Sequence, residues 1–373
     1  MRGPVERPIV IAAGGTGGHF FPAEALADEL LRRGRRIALM TDARSGGLAS
    51  TAFEGQETFV LRGAGIAGRG VRRALSAVAQ LAAGTLQARA ILARLHAAVV
   101  VGFGGYPAVA PVLGARLLAH RPRLVLHEQN AVLGRANRLL SRVADVLALS
   151  HAETAKVAGG GRTVLTGNPV RPALAALASQ GYAAPEPDGE FRLLVLGGSL
   201  GARVFSDVVP AALASLPEEL RARLIVTQQC RAEDIERVRA AYAATGITVE
   251  VAPFFADVAN RLAGAQLVVA RAGASTVAEL GVAGRPAVLV PLPGAIDDHQ
   301  AANARALERV GGAFLMPQPS FTPVALADRI ASLMASPALL GLAAHAAASC
   351  GIADAASRLA DLVELTIAQD TVP

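Results

Sequence analysis

The sequence has little of the aromatic and cysteine chemistry on which several classes of protein depend. It contains no Trp, and aromatic residues make up 4% of its 373 residues. Few side chains are therefore available for nucleic-acid bases to stack on. The two cysteines, Cys230 and Cys350, give neither a disulfide framework nor a metal-ligand spacing. These absences argue against nucleic-acid binding, a disulfide scaffold and a Cys/His metal site.

A long apolar run of membrane-spanning character is also missing. Ala97–Ala115 carries no charge over 19 residues, but glycines and prolines interrupt it, which favours a strand, a glycine turn and a helix. The first apolar run, Ile9–Ala13, is too short for a signal peptide and leads directly into glycines. We therefore expect no transmembrane span and no secretory signal.

Acidic residues are absent from a long part of the N-terminal half. No Asp or Glu occurs between Glu57 and Glu128, where there are nine Arg. Residues 1–171 hold 22 basic and 10 acidic residues, a net charge of +12, whereas residues 172–373 hold 14 and 20, a net charge of −6. A strongly basic half favours an anionic partner. Because aromatic residues are scarce, an anionic membrane surface is a better candidate than nucleic acid.

The sequence repeats one pattern in its two halves. A buried strand at Pro8–Ala13 precedes the loop Gly14-Gly15-Thr16-Gly17-Gly18-His19, a helix with Pro22 in its first turn and a strand at Arg36–Thr41. Phe191–Leu196 and the loop Gly197–Ala202 begin the same pattern again. Two Rossmann-like domains are therefore predicted, 1–170 and 171–350, joined at the proline-rich segment Gly167–Pro172.

Two familiar nucleotide motifs are absent. Counted from Gly15, the last glycine of a G-x-G-x-x-G motif would fall on Phe20, and no G-x-x-x-x-G-K-[ST] sequence occurs. The sequence therefore disfavours a nicotinamide-dependent enzyme and a P-loop nucleotidase.

The segment Leu267–Asn303 contains a strand, a small-residue turn and a helix, and then repeats them. Ser275 or Thr276 is expected to cap the first helix, and Asp297 or Asp298 the second. Helix N-termini suit an anion such as a diphosphate. Glu279 lies about one turn into the first helix, where its carboxylate could bind both hydroxyls of a ribose or simply complement the helix dipole. The local pattern leaves both interpretations open.

Other polar residues follow predicted strands, where open α/β sheets bind ligands. His127-Glu128-Gln129-Asn130 follows the strand Leu124–Leu126, and a second glycine loop, Gly102–Pro107, follows the strand Ala97–Val101. An unperturbed His has a pKa near 6.5 and can accept a proton from a hydroxyl. His19 could act in this way or could merely bind the backbone of its loop.

Taken together, these motifs resemble the MurG family over essentially the whole chain. The resemblance rests on the three glycine loops, H-E-Q-N, N-P-V-R at 168–171, R-A-G-A-S-T-V-A-E-L and D-H-Q-x-x-N-A, in the family's order. It implies an α/β chain with the GT-B fold, in which two Rossmann-like, doubly wound parallel-sheet domains face a cleft. It also implies that a C-terminal helix, about 353–370, packs back on the first domain.

The resemblance implies an inverting glycosyltransferase of peptidoglycan synthesis. Such an enzyme moves N-acetylglucosamine from UDP-N-acetylglucosamine to the C4 hydroxyl of undecaprenyl-diphosphate-linked muramyl-pentapeptide. The N-terminal domain would bind the acceptor and the membrane, and the C-terminal domain the UDP-sugar. His19 is then the candidate general base, with Glu128 as the alternative. The donor-binding residues would be Thr16, Gly17, Gly18, Asn130, Arg171, Ser199, Phe255, Ala274, Ser275, Thr276, Glu279 and Gln300.

The acceptor diphosphate would lie on the two N-terminal glycine loops, at Gly14, Gly15, Gly104, Gly105 and Tyr106. A membrane patch is expected on the helix Val71–Leu95, at Arg72, Arg73, Leu75, Val78 and Leu81. The resemblance further implies a peripheral position on the cytoplasmic face of the inner membrane, with cell-wall and division proteins as candidate partners. We expect no cofactor and no essential metal, because Asp297-Asp298 is not a D-x-D motif.

Two other functions fit the same fold. A UDP-N-acetylglucosamine 2-epimerase would share the two domains but would have no use for a basic, apolar patch. A non-catalytic subunit would bind the sugar nucleotide and the membrane without forming product.

Overall fold

The computed structural model describes residues 7–14, 17–43, 50–62, 71–157, 161–198 and 201–369, without the side chains of 71–74. These residues form two compact units. Unit 1 comprises the described residues up to Arg171 and those from Asp354 onward, and unit 2 is Pro172–Ala353. The sequence analysis placed the corresponding boundaries at residues 170 and 350.

Unit 1 is built on a parallel sheet with, among the described residues, seven strands in the order β3-β2-β1-β4-β5-β6-β7. Its strands are β1 Ile9–Ala12, β2 Ile37–Thr41, β3 Glu57–Val60, β4 Val99–Gly102, β5 Arg123–Glu128, β6 Val146–Leu149 and β7 Thr163–Leu165. Its helices are α1 Gly17–Arg32, α2 Val71–Leu95, α3 Val109–Arg116, α4 Arg135–Leu140 and, from the C-terminal end, α14 Ala355–Ala368.

The central strand β1 is apolar at every position because both faces of the sheet are covered. Ile9 and Ile11 belong to the core shared with α1 and α14. Val10 and Ala12 point to the opposite face and belong to the core shared with α2 and α3. Successive side chains of a strand alternate between faces, so a strand buried on both faces loses the polar alternation of a surface strand.

Helix α14 joins unit 1 although unit 2 separates it in sequence from the rest of that unit. It packs against α1, and Leu359 and Val363 are fully buried in the core beneath α1. Arg33 ties the two helices together, with ion pairs of 2.6 Å to Asp361 and 2.8 Å to Glu364.

Unit 2 contains, within its described residues, a six-stranded parallel sheet in the order β10-β9-β8-β11-β12-β13. Its strands are β8 Phe191–Leu196, β9 Leu224–Gln229, β10 Thr248–Ala252, β11 Leu267–Ala270, β12 Ala287–Leu289 and β13 Ala313–Leu315. Its helices are α5 Pro172–Ala175, α6 Arg203–Ala214, α7 Glu218–Arg221, α8 Ile235–Ala243, α9 Val258–Gly264, α10 Ala274–Ala283, α11 His299–Arg309, α12 Pro323–Met334 and α13 Pro337–Ser349.

The strand order reverses once in each sheet, between β1 and β4 in unit 1 and between β8 and β11 in unit 2. Loops at the carboxyl ends of neighbouring strands diverge at such a switch point and leave a crevice in which α/β proteins bind ligands. Each unit therefore carries one crevice, lined by the glycine loops that the sequence analysis identified.

Two predictions about helix starts, those for α10 and α1, were wrong, and the one for α11 was confirmed in position only. Helix α10 begins after Gly273, so Ser275 and Thr276 lie in its first turn, and its cap makes no side-chain hydrogen bond. Helix α11 has Asp298 at its cap, but the carboxylate accepts no capping bond. Helix α1 starts five residues before Pro22, which places that proline inside the helix. The first glycine loop is therefore shorter than the sequence suggested, because Gly17 and Gly18 already belong to α1.

Within the part of the chain that the structure describes, no single helix is long and apolar enough to cross a bilayer. Helices α12 and α13 are long and apolar enough only when taken together, and they are bent by 96° at their break.

Candidate functional site

The crevice of unit 1 brings His19 against the second glycine loop. His19 is the third residue of α1 and is half-buried. Gly104 and Gly105 follow β4 with φ of 75° and 64°. A β-carbon built on Gly105 would lie 3.2 Å from Nε2 and Cδ2 of His19. Positive φ and this close approach both require glycine at position 105, so the Nε2 edge of His19 lies against bare backbone.

Glu128, the alternative base, is occupied as an acceptor by the loop that follows β5. One carboxylate oxygen accepts from the backbone and the side-chain amides of Asn130, both at 3.0 Å. The other accepts from the amide of Gly134 and from Asn137, both at 2.9 Å. Glu128 is 2% exposed. A carboxylate buried with four donors holds the 128–137 loop in shape, so the geometry favours His19 over Glu128 as the base.

A chain of hydrogen bonds connects His19 to the interior of unit 1. Nδ1 of His19 lies 2.8 Å from Oε1 of Gln129. Nε2 of Gln129 lies 3.0 Å from Nδ1 of His127, and Nε2 of His127 lies 2.9 Å from the Gly167 carbonyl. Burial lowers the pKa of His127 to about 4, so this second imidazole is neutral at physiological pH and has a structural role.

The remaining residues predicted in unit 1 occupy several elements. Gly14 is buried after β1, and Gly17 and Gly18 form the first turn of α1. Tyr106 starts the 3-10 helix Tyr106–Ala108. The Arg171 guanidinium lies over the ring of Phe21, 5.1 Å from its centroid. Gly15 and Thr16 lie outside the described residues.

In unit 2, the first turn of α10 faces the crevice with unpaired donors. Ala274, Ser275 and Thr276 are its first three residues, and their N–H groups have no acceptor within the helix. The hydroxyl of Ser275 is buried and makes no hydrogen bond to protein. Glu279 is half-buried on the next turn. Such a turn suits a phosphate group, with a carboxylate one turn further along.

Polar side chains hold the loops around α10 in place. Arg271 donates to the Val290 and Pro291 carbonyls at 3.0 and 3.2 Å and to Gln318 at 2.7 Å. Asn303 donates 3.1 Å to the Ala272 carbonyl. The Gln300 side-chain oxygen, predicted at the donor site, accepts from the Leu292 amide at 2.9 Å. Gln300 therefore also shapes the loop between β12 and α11.

Gln229 fixes the third glycine loop in a similar way. Its side-chain oxygen accepts from the Gly197 amide at 3.0 Å, and its nitrogen donates to the Gly198 and Pro253 carbonyls at 3.1 and 3.2 Å. The loop after β8 is thereby joined to the loop after β10. Ser199, predicted to bind the diphosphate, lies outside the described residues.

Phe255, which was predicted to contact the base, is buried in the structure. Its ring is 5% exposed, and the Arg261 guanidinium lies 4.1 Å from the ring centroid. The neighbouring Phe254 is 68% exposed. A buried ring with an arginine over one face offers little surface to a nucleobase. In this loop, Phe254 is the aromatic residue available for stacking, and adjacent phenylalanines cannot be distinguished by composition alone.

Two residues of the predicted membrane patch are exposed on the surface of unit 1. Leu75 and Val78 on α2 are 65% and 66% exposed. Leu81 instead packs against the core, and Leu86, 60% exposed, continues the surface stripe. The helical period of 3.6 residues explains why Leu86 and not Leu81 belongs to the exposed stripe. Residues 75, 78, 82 and 86 share one face of α2, whereas 77, 81, 88 and 92 share the other. Side chains of Arg72 and Arg73 lie outside the described part of the structure.

Among the residues described, no group of three or more His, Cys, Asp or Glu side chains converges as a metal ion would require. Asp297 and Asp298 both have left-handed backbone, with φ of 55° and 54°.

Comparison with models of known protein families shows the class of protein to which this two-domain chain belongs. The model of the glycosyltransferase family 28 N-terminal domain matches residues 9–148, and that of the family 28 C-terminal domain matches residues 192–362. The fold and its two loop-lined crevices are thus those of a two-domain, GT-B glycosyltransferase.

Relatives narrow this class to one family. The chain is 63% identical over 98% of its length to a protein of Granulibacter bethesdensis, covering 95% of it, and 58% identical over 99% to one of Acidiphilium cryptum, covering 99%. Both are named UDP-N-acetylglucosamine–N-acetylmuramyl-(pentapeptide) pyrophosphoryl-undecaprenol N-acetylglucosamine transferase. The crystal structure of Acinetobacter baumannii MurG is 31% identical, with a TM-score of 0.77 over 96% of this chain and 99% of that one. The chain belongs to the MurG family.

A solved UDP-N-acetylglucosamine 2-epimerase also matches, with a TM-score of 0.67 over 99% of this chain and 98% of that one. Its sequence identity is 12%, so this similarity extends to the fold alone.

Proposed function

We propose that this chain transfers N-acetylglucosamine from UDP-N-acetylglucosamine to the C4 hydroxyl of a lipid-linked muramyl-pentapeptide, with inversion at the anomeric carbon. The observation that carries the proposal is the identity of 63% over 98% of the chain to a relative named for this transfer. The glycine loops and helix N-termini of both units supply the chemistry that the transfer needs.

In this mechanism the acceptor binds to unit 1 and His19 is the general base. The C4 hydroxyl attacks the anomeric carbon, the bond from that carbon to the UDP oxygen breaks, and the hydroxyl proton passes to Nε2 of His19. His19 suits this role because Gln129 engages its Nδ1, while Nε2 lies beside the side-chain-free backbone of Gly105.

The donor binds to unit 2. The diphosphate accepts from the first-turn amides of α10, Glu279 accepts from the ribose hydroxyls, and Phe254 packs on the uracil ring. Negative charge grows on the diphosphate as UDP leaves, and preorganised donors stabilise that charge in the transition state. Ser199 and the guanidinium of Arg171 are proposed to contribute to the same stabilisation.

We also propose that no divalent metal is required, because these amides and the guanidinium carry the charge of the leaving group. The test is a transfer assay with radiolabelled donor and lipid-linked muramyl acceptor in excess EDTA. Labelled lipid product is expected. Turnover that appears only after a divalent metal is added would contradict metal independence. An epimer formed from the nucleotide sugar alone would contradict the transferase.

The exposed face of α2, defined by Leu75, Val78 and Leu86, is proposed to dock on an anionic membrane surface. The support is its exposed apolar residues within a segment that has no acidic residue from 58 to 127. Apolar side chains can enter the lipid interface while neighbouring arginines bind headgroups.

A vesicle assay tests the docking. The double variant Leu75→Asp/Val78→Asp should lose binding to phosphatidylglycerol vesicles. A matched control is Leu342→Asp on α13, which changes a leucine that is 70% exposed in unit 2 and should bind as the wild type does. Equal binding of all three proteins would contradict the docking face.

A further inference from the structure

Gln129 is buried between the two histidines of unit 1, and its amide can adopt one orientation only. Its side-chain nitrogen lies 3.0 Å from the Phe103 carbonyl, 3.1 Å from the His127 carbonyl and 3.0 Å from Nδ1 of His127. Carbonyl oxygens accept and never donate, so the NH2 group must face them. The amide oxygen therefore faces His19, at 2.8 Å from its Nδ1. A flipped amide would place its oxygen against two carbonyl oxygens.

This orientation fixes the protons on both imidazoles. Because the amide oxygen of Gln129 only accepts, Nδ1 of a neutral His19 must carry the proton, and the lone pair must lie on Nε2. Because the Gly167 carbonyl only accepts, His127 carries its proton on Nε2, 2.9 Å away, and the lone pair of its Nδ1 faces the NH2 group of Gln129. Every bond in the chain from Gly167 to His19 then runs in one direction.

We propose that Gln129 is a positioning residue, which holds His19 in the tautomer whose Nε2 accepts the proton of the acceptor hydroxyl. The inference rests on the proposed function of His19. In the opposite tautomer Nε2 would carry a proton and could not act as a base. Nδ1 would then present a lone pair to the Gln129 oxygen, so the two acceptors would repel. Gln129 itself contacts no substrate in this account.

The surroundings explain why glutamine suits this position. A neutral amide orients the imidazole without adding a charge next to it, whereas a carboxylate would favour the imidazolium form. Gln129 is 1% exposed and lies directly after β5, so its position is set by a buried strand and not by a mobile loop. A rigid support of this kind keeps the base aligned before substrate arrives.

The tautomer of His19 can be measured by NMR on the protein alone, without substrate or turnover. Imidazole nitrogen shifts, measured by NMR on histidine-labelled protein and assigned with His19→Gln, should show His19 protonated on Nδ1 in the wild type. Gln129→Met should lose that preference. Gln228→Met is the matched control, because Gln228 is equally buried in unit 2 and accepts from Tyr242 at 2.7 Å. It should lower stability and leave the His19 signals unchanged.

Kinetics connect the tautomer to the reaction. A general base contributes about 100- to 10,000-fold to a rate, and loss of its preferred tautomer should remove part of that. Gln129→Met should lower kcat about 10- to 100-fold at unchanged KM. Gln129→Glu keeps an acceptor at His19 and should shift the pH profile of kcat/KM to higher pH. Gln228→Met should shift neither.

Two results would overturn the inference: a His19 tautomer that survives Gln129→Met, or a lost tautomer with normal kcat and pH profile. Failure of the proposed function has a different signature. In that case the wild-type protein forms no lipid product, although its NMR spectrum still shows whether Gln129 sets the proton on His19.

Discussion

Each unit places a glutamine at the end of a strand next to one that flanks its switch point, β5 beside β4 in unit 1 and β9 beside β8 in unit 2, and uses it for a different purpose. Gln129 follows β5 and holds an imidazole, whereas Gln229 ends β9 and holds the backbone of Gly197 and Gly198. Each side chain ties the switch-point loop of its sheet to a neighbouring strand end. The comparison shows how one architecture yields two chemistries: unit 1 carries a titratable group at its crevice, and unit 2 carries backbone donors at a helix end.

The two units also differ in what their well-bonded arginines bind, carboxylates in unit 1 and backbone carbonyls in unit 2. Arg33 of unit 1 lies among carboxylates near the surface, with three ion-pair partners between 2.6 and 2.8 Å. Arg285 of unit 2 is 2% exposed and donates to carbonyls at the ends of α9 and α10, including those of Leu262 and Ala283 at 2.7 Å. Burial lowers the pKa of Arg285. The guanidinium still stays charged, because the ordinary pKa of an arginine lies far above physiological pH.

The largest effect should follow the loss of the base in unit 1. His19→Ala is expected to lower kcat by about 100-fold or more, because no other group takes up the hydroxyl proton. Donor affinity should remain within about twofold, because His19 acts on the acceptor hydroxyl whereas the first turn of α10 holds the diphosphate. Steady-state kinetics and calorimetric titration with UDP measure the two quantities. Near-normal turnover would remove His19 from the mechanism.

The shifted pKa of the buried His127 of unit 1 should change the free energy of unfolding by about 3 kcal/mol as the pH falls. The folded pKa of His127 is about 4, below the unfolded value near 6.5. Between these values the unfolded chain binds the additional proton, so stability falls as the pH drops from 6.5 to 4. Urea unfolding of the wild type should show this loss, and His127→Asn should show a smaller one. Parallel pH dependences of the two proteins would contradict a neutral, buried His127.

The donor carboxylate of unit 2 should affect binding and not chemistry. A hydrogen bond to a charged group is worth ~1.5–3 kcal/mol, so Glu279→Ala should weaken UDP-N-acetylglucosamine about 10- to 100-fold. Glu236→Ala is the control, because Glu236 is an exposed residue of α8 in the same unit, paired with Arg239. Equal affinities of the two variants would mean that Glu279 serves its own helix.

The smallest expected effect is the change in UDP affinity when one of the two neighbouring phenylalanines of unit 2 is replaced. Base stacking on an aromatic ring contributes ~1–3 kcal/mol, so Phe254→Ala should weaken UDP about 10-fold and leave Tm unchanged. Phe255→Ala should instead lower Tm, because it removes a buried ring from beneath Arg261. The reverse pattern would restore Phe255 as the base contact.

The sequence predicted the buried elements well and the edge elements poorly. Strands that are mostly buried, such as Phe191–Leu196 and Leu267–Ala270, have the predicted bounds. The strands β3 and β13 were not predicted. Glu57–Val60 is mostly exposed at the edge of its sheet, and its polar residues give no apolar run to detect. Edge strands are defined by their neighbour and not by their own burial.

At the site, the sequence identified the glycine loops but not the side chains that hold them. Gln129, Asn137 and Arg271 each have a partner between 10 and 110 positions away in the chain. No local pattern reveals such partners. The choice between Phe254 and Phe255 also depends on which ring Arg261 covers. The glycine loops could be predicted because their backbone conformation requires glycine in the sequence itself.

The division of labour between the units can be tested by saturation with donor. Single-turnover transfer is measured for His19→Ala and Glu279→Ala at rising UDP-N-acetylglucosamine concentration, with the lipid acceptor in excess. We predict that Glu279→Ala approaches the wild-type rate as its weakened site fills, while His19→Ala stays slow at every concentration. Recovery of His19→Ala at high donor, together with a persistently slow Glu279→Ala, would contradict the account.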